Sequence, residues 1–307
     1  MMNEHIPTIV AGTLAGTAAR LVMLRLDYRQ YPGYPHGYVT HLSLGFIAAA
    51  LGAVAVPAIL KPDYTAVTFL ALAATQFREV RSIERKTMEN LDERELVKRG
   101  SDYIEGIART FEARNYLVML TSLLTSTGFL LGGAAAAAVI ALLTIALART
   151  FMAGETIGDI CEVVPARIWF KGTVLMVGEI SIMPVGLKEM RKKILAEGLA
   201  VLIIPRDRNA RAVIHDLGQR LAIAHTAAVI MGVKKDVDLP EFTPVARKNP
   251  DTGEVGLYIV PEEKDIDALI LAVKRTPVLE SARIRPLATE AGRIAAAPKK
   301  FRGLRTF

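Results

Sequence analysis

The sequence predicts an α-helical polytopic membrane domain followed by a soluble α+β domain with a mixed sheet. Three observations carry that fold class. The chain has 307 residues and is 51% hydrophobic, yet 22% of it is charged and its formal net charge is +7. Its mean hydropathy, +0.32, is high for a protein surrounded by water throughout. The two properties also separate along the chain: the long apolar runs precede Arg149, and most of the mixed charged sequence follows it. One part is built for lipid and the other for water.

The membrane domain is expected over residues 1–152. A helical span needs about 20 apolar residues to cross about 30 Å of hydrocarbon. Residues 6–26 are the first span. Met1–Pro7 carries no Lys or Arg, so it does not read as the basic start of a cleaved signal. Arg20 and Arg25 come at the end of this span, where long stems reach the headgroups. Gly12 and Gly16 form a GxxxG spacing that suits close helix packing. Tyr28–His41, YRQYPGYPHGYVTH, reads as an interfacial turn. No further His or Cys lies near His36 and His41, so they define no metal site. The later spans are 39–60, 64–80, 116–131 and 134–149. The third is short, and a re-entrant course remains open for it. Gly132 and Gly133 break the last run into a helical hairpin.

Charge placement orients the spans. With five spans and the N-terminus outside, the outer segments (Met1–Pro7, the Lys61 turn and the Gly132-Gly133 turn) hold a single Lys or Arg. The inner segments receive Arg20, Arg25, Arg29, the Arg78–Arg114 stretch, Arg149 and the basic C-terminal part. This is the positive-inside pattern, and it places the soluble domain in the cytoplasm and the chain in the cell membrane.

The inner loop 78–115 begins with charges alternating in sign at helical spacing, from Glu79 to Arg94, which reads as a solvated helix. Gly100 interrupts it, and Ser101–Arg114 reads as an amphipathic helix with Ile104, Ile107, Ala108 and Phe111 on one face. Glu105 and Arg109 are an i,i+4 pair on another face. Tyr103, Ile104, Glu105, Gly106, Ile107 and Ala108 spell YIEGIA. The chain therefore resembles the YIEGIA family of spore-forming Firmicutes, whose order of membrane segments and soluble tail covers most of it. The resemblance implies a role in sporulation or the spore envelope, and implies no chemistry. The motif and Arg109 are the expected partner contact.

The soluble domain is expected over 158–290. Val163–Phe170 and Thr173–Ile180 flank Lys171-Gly172 as a hairpin. Gly186–Glu197 is a helix, Leu199–Ile204 a buried strand, and Arg208–Met231 one long helix. Phe242–Arg247 and Glu254–Val260 form a second hairpin, Pro261–Lys274 a helix, and Val278–Ile284 a last strand. A helix–strand–helix run allows one parallel pair. The basic tail, 291–307, carries Lys299, Lys300, Arg302 and Arg305. It suits either anionic lipid or plain solvation.

No P-loop, GxGxxG, HExxH, CxxC or GxSxG occurs, so no cofactor or metal is expected. The lone Cys161 reads as a half-buried small residue. Arg206, Arg208 and Arg211 cluster at a helix start, as an anion contact or as a solvated face. Basic charge without an aromatic stacking surface does not argue for a nucleic-acid partner, and none is expected. The expected partners are the lipid bilayer and other membrane or spore-envelope proteins, with homo-oligomerisation left open. The function predicted is a scaffold or complex subunit rather than an enzyme. The alternatives are a transporter or channel component with an interfacial carboxylate, or an enzyme acting on lipid-linked envelope precursors.

Overall fold

The computed structural model describes residues 5–27, 35–60, 67–68, 70–72, 75, 79–151, 154–236, 239–240 and 242–283. Most of segment 64–80, the side chains of Arg25 and His36, and the tail 291–307 lie outside the described residues. The chain divides into two compact units, Met1–Glu95 with Gly100–Glu155, and Leu96–Arg99 with Thr156–Phe307.

The first unit is helical. It contains α1 (Ile6–Asp27), α2 (Pro35–Leu60), α3 (Val80–Asp92) and α4 (Ser101–Phe151). Among the described residues, α1, α2 and α4 are long and apolar enough to cross a bilayer, so this is a multi-pass membrane protein. α2 begins at Pro35, a residue suited to the first helical turn because its missing N–H is not needed there. The expected interfacial turn is therefore shorter than Tyr28–His41, and His41 is a helix residue. α4 likewise departs from expectation. The predicted surface helix Ser101–Arg114 and the span after it are one continuous helix. Its apolar face points into the unit, with Ile104, Ile107, Ala108 and Phe111 buried.

α4 reverses at Gly132 (φ −142°, ψ 19°) and Gly133 (φ 65°, ψ −162°). A Cβ on Gly128 would collide with Ile140 Cδ1. Along a straight helix those residues would stand about 18 Å apart, so the two arms fold back on each other. Gly133 has the positive φ that side-chain-bearing residues avoid.

α1, α2 and the first arm of α4 pack into one core that includes Ala19, Met23, Ala48, Ala49, Phe111 and Val118. Their backbones approach closely where small residues meet. Ser122 Oγ donates to the Gly12 carbonyl at 2.8 Å, and Ser126 Oγ to the Thr8 carbonyl at 3.2 Å. On the outer faces Leu131, Leu142 and Leu14 remain exposed, as lipid-facing side chains do.

The second unit is α+β. Its strands are β1 (Cys161–Pro165), β2 (Ile168–Lys171), β3 (Val174–Val177), β4 (Ile180–Pro184), β5 (Leu199–Pro205), β6 (Lys235–Asp236), β7 (Leu239–Pro240), β8 (Val245–Lys248) and β9 (Val255–Ile259). A four-stranded sheet has the order β1-β5-β9-β8, a three-stranded sheet the order β2-β3-β4, and β6 pairs with β7. Every pair among the described strands is antiparallel, so the expected parallel pair does not form. Pro165-Ala166-Arg167 splits the predicted Val163–Phe170 strand between the two sheets. The predicted helix Arg208–Met231 is two, Arg208–His215 and Leu217–Met231. Asp216 breaks the run and caps the second helix by accepting from Gln219 N at 2.9 Å. The predicted last strand is a single 3₁₀ turn, Glu280–Ala282. The core between the sheets includes Leu175, Ile182, Ile194 and Tyr258.

Cys161 is buried at the start of β1. Burial pushes its thiol up to about 12. The thiolate is therefore scarce at pH 8, and we expect iodoacetamide to label Cys161 in denaturant but not in the folded protein, as read by intact mass. Rapid labelling of the folded chain would contradict this burial.

Candidate functional site

The first unit buries charge where an apolar core would be expected. α1 places Gly16 and Arg20 one turn apart on the same face. Arg20 is fully buried, and its stem fills the space left by the absent side chain of Gly45 on α2. It does not snorkel to headgroups. Its Nη2 donates to His41 Nδ1 at 3.2 Å, its Nε donates to the His41 carbonyl at 3.4 Å, and its guanidinium lies 5.1 Å from the centre of the Phe111 ring. The His41 and Phe111 rings are 4.5 Å apart and inclined at 47°.

α3 completes the cluster. Val80, Glu84, Met88 and Asp92 recur at one-turn intervals and form its buried stripe. Glu84 Oε1 lies 3.4 Å from His41 Nε2, both side chains about 5–6% exposed. Asn115 sits one turn beyond Phe111 on α4. It is fully buried, and neither its amide nitrogen nor its amide oxygen has a hydrogen-bond partner.

The YIEGIA residues begin α4 beside this cluster. Tyr103, Ile104, Gly106, Ile107 and Ala108 are buried. Glu105 accepts from Arg81 of α3 and from Arg109 at 3.1 Å, and Arg81 also lies 3.6 Å from Glu112. Glu105 thus braces α3 against α4. The structure places Gly12 and Gly16 against Ser122, Ser126, Ala49 and Ala53, and Gly132 and Gly133 at the reversal of α4.

In the second unit, Arg206 donates to the carbonyls of Asp159 (3.0 Å) and Gly158 (3.3 Å), and Arg211 donates to that of Pro250. Two of the three arginines considered for an anion therefore hold backbone loops, while Arg208 is exposed. Asp159 accepts from the backbone and hydroxyl of Thr156, which holds its carboxyl below the usual range. No group of three metal-ligating side chains occurs among the described residues.

His215 donates Nε2–H to the Gly253 carbonyl at 3.1 Å. Desolvation lowers its pKa from 6.5. The unfolded chain then takes up a proton near 6.5 that the folded unit resists, so stability falls as pH drops through and below that value. His215→Gln should flatten this dependence in thermal unfolding at pH 5 and 7. An unchanged dependence would assign the acid sensitivity to other groups.

The residues 8–289 match the model of the family described as YIEGIA protein. The chain belongs to the YIEGIA family. It is 43% identical over 281 residues to the Uncharacterized protein YphB of Bacillus subtilis (strain 168), covering 92% of this chain and 95% of that one. No solved structure matches it.

Sequence reasoning singled out the motif and the glycines of this YIEGIA protein but missed Glu84 and Asn115, and it did not bring Arg20 and His41 together as buried partners. The available signal was the Val80, Glu84, Met88 periodicity, an acid in phase with apolar residues.

Proposed function

We propose that this membrane protein is a scaffold or complex subunit that presents its α+β unit for assembly with other membrane or spore-envelope proteins. The sporulation part of this reading is supported by the resemblance to a family of spore-forming Firmicutes. The charge asymmetry supports five spans, an outer N-terminus and a cytoplasmic α+β unit.

One observation carries the assembly reading. Glu105, the only acid of the family motif, is engaged by Arg81 and Arg109 as a brace between two helices. A carboxylate serving ion passage would instead face an aqueous path. Such partly exposed pairs contribute about 0–1 kcal/mol, so Glu105→Gln should leave the fold and the assembly intact.

The test is extraction of the full chain from its native membrane in polymer discs. The expected result is a second polypeptide at fixed stoichiometry, retained in Glu105→Gln. A chain that extracts alone, and whose ion flux in proteoliposomes is abolished by Glu105→Gln, would replace this reading with transport.

A further inference from the structure

We propose that Arg20, His41 and Glu84 form a proton-binding site that exchanges one helix contact for another. This goes beyond the assembly reading and does not depend on it.

A guanidinium donates and never accepts, so the contact between Arg20 Nη2 and His41 Nδ1 requires a lone pair on Nδ1. The imidazole is therefore neutral, with its hydrogen on Nε2, facing Glu84 Oε1 at 3.4 Å. A second proton, drawn from water, can add only to Nδ1. That places an N–H against the Arg20 donors and a cation beside a cation, so this contact breaks. The same proton sets a full positive charge against the buried Glu84 carboxylate, where low dielectric strengthens the attraction. Proton uptake thus weakens the α1–α2 link and tightens the α2–α3 link.

Among the described residues, the ring's neighbours come from α1, α3 and α4. α1 presents Arg20 and α3 presents Glu84 to the ring. α4 presents the Phe111 ring, and the charged residue on that buried face is Arg114. α2 contains no Asp, Glu, Lys or Arg, and its other titratable residues are His36 and Tyr38. Arg20 keeps its contacts with the His41 carbonyl and the Phe111 face after the ring contact is lost.

The experiment uses the full chain in phosphatidylcholine nanodiscs with ¹⁵N-labelled histidine, at pH 8 and pH 5. The chain has five histidines, and single His→Gln changes at His5, His36, His215 and His225 assign the His41 signal by elimination. We expect an Nδ1 lone pair at pH 8 and protons on both nitrogens at pH 5. We also expect slower amide exchange across Val80–Asp92 at pH 5, after correction for intrinsic rates, with this difference lost in His41→Gln. Where His41→Gln does not fold, Glu84→Gln should keep the pH 8 tautomer and lose the exchange difference. A hydrogen on Nδ1 at pH 8, an unchanged protonation state between the two conditions, or an exchange difference that survives in either variant would overturn the proposal.

Discussion

Gly16→Leu is expected to destabilise the helical unit by about 1–3 kcal/mol, the cost of overpacking a filled core. A Cβ at Gly16 would overlap Ser122 Oγ and lie 2.8 Å from Ala49 Cβ and 3.2 Å from the Val118 carbonyl. These three neighbours belong to two helices, α2 and α4, that cannot retreat separately, because α1, α2 and α4 share one core. The Ser122–Gly12 hydrogen bond, one turn away, would open with the same displacement. Gly133→Ala is the contrasting change. Nothing lies within 4 Å of a Cβ there, and the cost is a positive-φ, extended-ψ backbone that glycine alone adopts readily, about 1–3 kcal/mol. Unfolding in mixed micelles compares the two. Gly16→Leu within 0.5 kcal/mol of the parent would mean that the close approach does not constrain the fold.

Arg20→Ala should cost more, about 3–5 kcal/mol, because it breaks a buried charge arrangement by removing one partner. Glu84 would remain almost enclosed beside a neutral imidazole, and the space opposite Gly45 would become a cavity. Glu84→Ala should be comparable, since His41 Nε2 would then lose the buried carboxylate beside it. The decisive measurement is the double variant. If the three residues act as one unit, Arg20→Ala with Glu84→Ala costs clearly less than the sum of the single changes. Strict additivity would show that Arg20 and Glu84 are energetically separate despite sharing His41.

Much of the fold was legible before the structure. Apolar run length identified α1 and α2, and the Gly132-Gly133 pair marks the point where α4 turns back. Alternation of β-branched residues around Lys171-Gly172 located the β2–β3 hairpin. The failures have identifiable causes. Asp216 is compatible with a continuing helix in local propensity, yet its side chain caps the next helix and ends the previous one. Val278–Ile284 has strand composition, but among the described residues the nearest ladder contact is the isolated Thr156–Pro277 bridge. Pro165 terminates a run that composition alone would continue.

The candidate site was harder to read. Along the chain, α3 alternates in charge as a solvated helix does, and only the one-turn spacing of Glu84 between Val80 and Met88 separates it from Glu89. Arg20 looks like an interfacial anchor, because Arg25 follows it.

The sequence by itself determined that lipid and water divide this chain, and which segments are long and apolar enough to meet the lipid. Hydrophobic transfer is a sum over a run of residues, so it is written locally. Only the tertiary structure decided where the polar side chains of the membrane unit find partners. Arg20 and His41 are 21 residues apart, and Glu84 belongs to a different helix again. Burial of a charge depends on what surrounds it in space, and three helices must pack before Arg20 leaves water and His41 acquires a neighbour on each of its nitrogens.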